Sequence, residues 1–344
     1  FKLMAKFQQA MPAEPKISSE KRLEVAALGR VLLINRLGGV GDILCARLIF
    51  EDLKRMPNIG DTAFAVPRRY LPVIEDHPYI DCKIAVEDLE NVTDYVISKD
   101  ITEVCDKLER WTRGNINQNR ADIYADSIGL KLKNHNGHLS FTDREMEFAK
   151  VFMRQLGKGK KVGIAPFTSH ASKDLGKQLA RDLVFWCRRR KAMPLVFHDE
   201  KISIEEAEVV SGLPLRQWMA VVSLLDAVVT ASTAMFWVAQ LTRRPTVVIA
   251  GYEDARVFGK YHPDLAIVQR CARGERKLIA RQEKEIEKFN GDWSHCPCWS
   301  AQRCAFRKWR EYPLFCLDSI RIDEVVKPLA RILRRRKAKG VNFG

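Results

Sequence analysis

Residues 30–42 read Arg30-Val31-Leu32-Leu33-Ile34-Asn35-Arg36-Leu37-Gly38-Gly39-Val40-Gly41-Asp42. A short apolar run bounded by turn residues reads as a buried strand. The glycines after it let the backbone turn sharply and come close to a ligand. Ile43, Leu44, Ala46, Leu48, Ile49 and Leu53 then fall on the apolar positions of a helix. Strand, glycine turn and helix form the opening unit of a Rossmann-like half, and the helix N-terminus offers free N–H groups to an anion.

The same alternation continues outward. Thr62-Ala63-Phe64-Ala65-Val66 and Asp94-Tyr95-Val96-Ile97 read as strands, and glycine and lysine at 157–160 mark a linker. Beyond it, strands are predicted at Val162–Pro166, Pro194–His198, Leu224–Thr230 and Pro245–Gly251, with helices at 180–190 and from about Ala234. Two doubly wound parallel sheets are expected, with ligands bound beyond the carboxyl ends of their strands, in the cleft between the halves. The expected divisions are a polar extension over 1–27 with a short helix at 18–25, a first half over 28–155, a second over 156–315, and a helix with a basic tail over 316–344.

Composition narrows the function classes. The hydrophobic fraction of 46% is that of a globular protein. No apolar run approaches the roughly 18 to 20 residues that span a bilayer, and no secretory signal is visible, so a cytoplasmic setting is expected. Nine cysteines in 344 residues lack the density of a disulfide scaffold. A net charge of +15 attracts nucleotides, nucleic acids or anionic lipid without choosing among them, and it also serves as solubilising surface.

Four groups of residues suit chemistry. Asp42 lies where the glycine loop meets the helix, with Gly39 and Gly41 close to any bound anion. It reads either as a cap on the first-turn N–H groups or as a general base for a hydroxyl. Thr168, Ser169, Ser172 and Lys173 follow a strand and precede a helix, so they suit a phosphate, or make an ordinary polar turn. Ser232, Thr233 and Met235 occupy another such turn, suited to a ribose or phosphate and equally to a helix cap. Cys296, Cys298, Cys304 and Cys316 suit a tetrahedral thiolate site for structural zinc or iron, with free buried thiols as the other reading. There is no Walker A ending and no D-x-D pair for a metal-held diphosphate, so cations and helix ends are expected to hold the phosphates, with no catalytic metal.

In order, these motifs resemble glycosyltransferase family 9, the heptosyltransferase-like family, over residues 30 to 333. The resemblance is carried by the strand and glycine loop through Asp42 and by Asn119-Arg120-Ala121-Asp122-Ile123-Tyr124. Gly163-Ile164-Ala165-Pro166 with Ser172-Lys173, Leu215-Arg216-Gln217-Trp218, Asp226–Val229, Arg244–Val247 and the cysteine ending complete it. It implies a GT-B fold, with a first half that takes the acceptor and a second that takes the nucleotide-sugar. It also implies inverting transfer, in which Asp42 deprotonates an acceptor hydroxyl and Lys173 steadies the leaving diphosphate. An ADP-linked donor is favoured, with GDP or UDP open. The implied acceptor is a glycan or lipid-linked hydroxyl at the inner membrane face, where the basic tail would touch lipid. In one branch of the family such a cysteine cluster holds iron.

The nucleotide turn departs from the family pattern. Ala231 and Phe236 stand where the family carries an aspartate and a histidine. Two further readings therefore stay open, a transferase acting on DNA or protein and a non-catalytic sugar-nucleotide-binding protein.

Overall fold

The computed structural model describes residues 32–57, 59–92, 97–111, 117–168, 173–198, 204–205, 207–251, 253–269, 317 and 320–338. The extension over 1–27 and Ser169, Ser172, Cys296, Cys298, Cys304 and Cys316 lie outside these residues.

The first half holds β1 (Leu32–Asn35), α1 (Val40–Ala46), α2 (Phe50–Lys54), β2 (Thr62–Val66), β3 (Cys82–Ala85) and β4 (Ile97–Asp100), then α3 (Val104–Trp111), α4 (Arg120–Ser127) and α5 (Asp143–Gln155). Its strands run parallel in the order β3-β2-β1-β4. The second half holds β5 (Lys161–Ala165), α6 (Lys177–Arg189), β6 (Met193–Phe197), β7 (Glu208–Val210), α7 (Leu215–Ser223) and β8 (Ala227–Thr230). α8 (Ala234–Leu241), β9 (Thr246–Ala250), α9 (Ala255–Phe258), β10 (Leu265–Gln269) and α10 (Ile322–Ala338) follow. Its sheet is parallel in the order β10-β9-β8-β5-β6-β7.

Both orders reverse direction once, and the reversals place the site. In the first sheet the chain steps outward from β1 to β3 and returns to add β4 on the other side of β1. In the second it steps from β5 to β7 and returns to add β8 beside β5. Loops diverge at such switch points and leave a crevice at the carboxyl ends of the strands. The loop after β1 leads into the first turn of α1, which carries Asp42, and the connections after β5 and β8 carry Lys173 and Ser232.

The predicted interior strands are present because β2, β5, β8 and β9 are buried along their whole length and read as apolar runs, as β1 does in sequence. β3, β7 and β10 were not predicted. All three are sheet edges and only partly buried; CKIA and EVV each carry a charged residue, whereas LAIVQ is apolar until Gln269. β4, predicted at 94–97, is seen at Ile97–Asp100, paired with β1. α10 packs on the second half, where Val325 and Leu329 are fully buried in the core against that sheet.

One apolar cluster joins the halves. Ile34, Ile43, Leu44 and Phe64 of the first pack continuously with Met219, Phe236, Trp237 and Phe258 of the second. Gly41 permits this approach, because a Cβ there would stand 3.1 Å from Trp237 Cδ1 and 3.5 Å from the Ala234 Cα. A buried ion cluster adds direction. Arg216 of α7 donates to Asp76 Oδ1 at 2.7 Å, to both carboxylate oxygens of Glu145 at 2.8 Å and to the Ser140 carbonyl at 2.7 Å. Asp76 in turn accepts from Arg47, which is fully buried.

Candidate functional site

The glycine loop delivers a carboxylate to the cleft. Gly39 is the N-cap of α1, with extended backbone, so the capping position predicted for Asp42 belongs to Gly39. Asp42 sits three residues on, and its Oδ2 accepts the Gly39 N–H at 3.1 Å. Gly38 is the position that demands glycine. Its φ is +142°, and a Cβ would lie 2.8 Å from Asp42 Oδ2 and 2.9 Å from an Arg36 guanidinium nitrogen.

Two arginines converge on the other oxygen of Asp42. Oδ1 pairs with Arg36 at 3.1 Å and with Arg120 at 2.8 Å. Burial pushes the Asp42 pKa up, but Arg120, Arg36 and the Gly39 N–H outweigh it and hold the carboxyl below its ordinary value. Asp42 is therefore ionised at neutral pH. Arg36 is buried, and its Nε donates to the Tyr124 hydroxyl at 3.3 Å.

Arg120 carries the network across the cleft. It is the first residue of α4, whose N-cap Asn119 donates to the Val257 and Phe258 carbonyls of the second half at 3.1 and 2.8 Å. Arg120 also reaches Glu253 Oε1 at 3.4 Å, and Lys173 Nζ meets the same oxygen at 3.0 Å. Burial raises the Glu253 pKa, while Lys173, Arg120 and a hydrogen bond with Ser232 lower it further, so Glu253 is ionised too. Among the described residues the cleft thus brings together three cations, Arg36, Arg120 and Lys173, and two carboxylates. Lys173, Ala231, Ser232, Gly251, Glu253 and Leu317 line a small pocket beside them.

The other predicted residues have different surroundings. Thr233 caps α8 by accepting the Met235 N–H at 3.2 Å and meets the Thr230 hydroxyl at 2.8 Å. Met235 is 2% exposed and packs in the core. Gly41 faces Trp237, and Gly39 is exposed beside Asp42. The Thr168 N–H donates to Asp174 at 2.7 Å. Phe236 is wholly buried, edge-on to Trp237 and Phe258. Sequence reasoning missed Arg36, Arg120 and Glu253 as site residues. Their one signal is position, since Arg36 follows β1, Arg120 opens α4 and Glu253 follows β9. Among the described residues no group of histidine, cysteine or acidic side chains has a metal-holding arrangement, and no helix is long and apolar enough to cross a membrane.

As a whole, the chain superposes on solved two-domain structures. A family 9 glycosyltransferase from Veillonella parvula superposes with a TM-score of 0.65 at 13% identity, over 89% of this chain and 97% of its own. The chain has the GT-B glycosyltransferase fold. The ADP-heptose lipopolysaccharide heptosyltransferase II of Escherichia coli gives a TM-score of 0.64 at 12% identity, covering 90% of this chain and 99% of its own. The iron-containing dodecameric glycosyltransferase TibC of enterotoxigenic E. coli gives 0.61 at 12% identity, over 90% and 77%. A TibC complex with ADP-heptose superposes equally well. No protein-family model and no curated protein sequence matches the chain. Within the GT-B frame, Asp42 stands on the first Rossmann-like half and Lys173, Ser232 and Glu253 on the second.

Proposed function

We propose that this chain is an inverting glycosyltransferase that moves a sugar from a nucleoside diphosphate to an acceptor hydroxyl without a catalytic metal. The observation that carries the reading is the bridge formed by Arg120, which binds Asp42 with one guanidinium nitrogen and Glu253, the partner of Lys173, with another. The acceptor oxygen attacks the anomeric carbon from the Asp42 side. The bond from that carbon to the diphosphate oxygen breaks, and the nucleoside diphosphate leaves with the electron pair toward Lys173 and Arg120. The hydroxyl proton passes to the Asp42 carboxylate. Because two arginines depress its basicity, Asp42 accepts that proton late, when bond formation has acidified the hydroxyl. Fixed cations then stabilise the charge that develops on the leaving group.

ADP-linked heptose is the favoured donor, on the likeness to structures named for it, and GDP- and UDP-sugars are the alternatives that the changes at Ala231 and Phe236 motivate. The acceptor is a glycan or lipid-linked hydroxyl, with DNA or protein as the other reading. The exposed Arg331, Arg334 and Arg335 of α10 suit peripheral contact with an anionic membrane from the cytoplasmic side. Four thiolates at 296, 298, 304 and 316 form a donor set for structural zinc or iron. Leu317, next in sequence to Cys316, is buried in the pocket wall beside Lys173 and Glu253. A screen of nucleotide-sugars read by mass spectrometry of intact ligands tests the proposal. Turnover that vanishes in Asp42→Asn supports transfer, whereas binding with no Asp42-dependent turnover supports the non-catalytic reading.

A further inference from the structure

Two turns that follow neighbouring strands of the second sheet meet at one pocket, and one of them brings a carboxylate to it. Ala231 and Ser232 follow β8, and Glu253 follows the adjacent strand β9, paired in register through Thr230 and Val248. The two turns therefore lie side by side, and both line the pocket with Lys173. Ala231 is 2% exposed and presents only a methyl group there. Glu253 is 6% exposed and presents a carboxylate bonded to Ser232, Lys173 and Arg120.

The backbone holds Glu253 firmly. Gln269 of β10 donates from its side-chain amide to the Glu253 carbonyl at 2.6 Å and to the Gly251 carbonyl at 3.0 Å. Its Oε1 accepts the Ala255 N–H at 3.1 Å. The next residue, Asp254, caps α9 by accepting the Arg256 N–H at 2.9 Å. A carboxylate fixed in this way suits recognition, because little ordering remains to be done on binding.

We infer that Glu253 is the specificity residue for the donor's sugar, accepting hydrogen bonds from its hydroxyls. The inference rests on the proposed transferase reading. A diphosphate entering the cleft competes for Lys173 Nζ, since phosphate oxygens are strong acceptors for lysine. Glu253 keeps Arg120 and Ser232, and the acceptor capacity released by Lys173 turns to hydroxyls. A carboxylate has about four lone-pair sites, enough for two cationic or hydroxyl partners from the protein and a diol from the ligand. A second diphosphate ligand is the wrong chemistry for it, because like charges repel.

Calorimetry of the full chain tests this with ADP, GDP and UDP, each alone and carrying a hexose or heptose. The proteins are wild type, Glu253→Gln, Glu253→Asp and the double variant Ala231→Asp/Glu253→Gln. We expect each free diphosphate to bind Glu253→Gln at least as tightly as wild type, because the amide competes less for Lys173 and Arg120. The extra affinity given by the sugar falls about tenfold to a hundredfold in Glu253→Gln, the worth of a hydrogen bond to a charged group. Part of it returns in the double variant, where the carboxylate stands on the facing turn. Should Glu253→Gln fail to fold, Glu253→Asp keeps the charge, draws the carboxylate back by one methylene and still lowers the sugar's contribution. Equal weakening of diphosphates and sugar-nucleotides, or no change in either, would show Glu253 to be a structural ion-pair partner and overturn the inference. Failure of wild type to bind any of the diphosphates overturns the transferase reading itself, and this inference with it.

Discussion

Arg120 donates to Asp42 Oδ1 at 2.8 Å from the first turn of α4, and the same guanidinium lies 3.4 Å from Glu253 on the opposite half. Asp42 is thus held ionised by a residue that also touches Glu253, the partner of Lys173, across the cleft. One charge network spans the two places where protons and electrons would move.

Asp42→Asn is expected to leave the fold intact, because an amide oxygen can still accept the Gly39 N–H. Transfer should fall about 10^2- to 10^4-fold, the usual worth of a positioned general base. Circular dichroism and a transfer assay on a confirmed donor and acceptor check this. Wild-type turnover in the variant would reduce Asp42 to a helix cap.

Lys173→Ala should weaken binding of a nucleoside diphosphate by about 1.5 to 3 kcal/mol, the range for a charge-assisted hydrogen bond. Glu253 retains Arg120 and Ser232, so the loss of stability should be smaller. Titration calorimetry with ADP reads the first, and urea unfolding the second. Unchanged diphosphate affinity moves the phosphate site elsewhere.

Arg216→Ala should be strongly destabilising, by about 3 to 5 kcal/mol, because it leaves Asp76 and Glu145 short of a buried partner. Both carboxyls are held below their ordinary values. Burial opposes this, but Arg47, Arg216 and the Ser140 N–H prevail for Asp76, and Arg216 and Thr142 for Glu145. Chemical denaturation at neutral pH measures the loss. A change under 1 kcal/mol would show that the apolar contact between the halves suffices alone.

His262 gives a pH dependence of known sign. Burial lowers its pKa from 6.5 to about 4, and its ring lies between the Thr246 hydroxyl at 3.0 Å and the Asp264 N–H at 3.2 Å. Between these values the unfolded chain binds a proton that the folded protein refuses. This group's effect is therefore absent above pH 6.5 and erodes stability as pH falls toward 4, by at most ~1.4 kcal/mol per pH unit. His77, lowered to about 2 mainly by burial, acts in the same direction over a wider span. Unfolding free energies from pH 7 to 4.5 should slope less steeply in His262→Gln than in wild type. Parallel slopes would mean that His262 takes up its proton in the fold.

The cysteine segment is tested by elemental analysis of protein purified without a histidine tag. About one zinc or iron per chain is expected, falling together in Cys296→Ser and Cys304→Ser. Four freely titrating thiols with negligible metal would leave these cysteines as ordinary reduced residues.

The fold class was legible at residues 30–42 because a parallel strand buried on both faces must be apolar, and a glycine turn before a helix has few other uses. The same reasoning located β2, β5, β6, β8 and β9. It failed at β3 and β7, since an edge strand is paired along one side only and its sequence need not be continuously apolar, and it passed over the short apolar run Leu265–Val268 of β10. Asp42, Lys173 and Ser232 were legible as cleft residues because each lies on the connection from a strand to the next helix or in that helix's first turn, and chain order brings these connections to the carboxyl ends of the sheets.

Pairing across the cleft was beyond the sequence. Arg120 and Glu253 are 133 residues apart, and neither has a local pattern that distinguishes it from a solvated charge. Only the packing of Gly41 against Trp237, and the switch points that set the loops facing each other, bring these charges within bonding distance. Thr233 and Met235 were drawn by the same packing into a helix cap and the core. Local sequence thus determined which loops reach the cleft, since strand direction is a short-range property. Which side chains meet there was decided by the tertiary structure, because Coulomb and hydrogen-bond energies depend on distances that only the packed halves define.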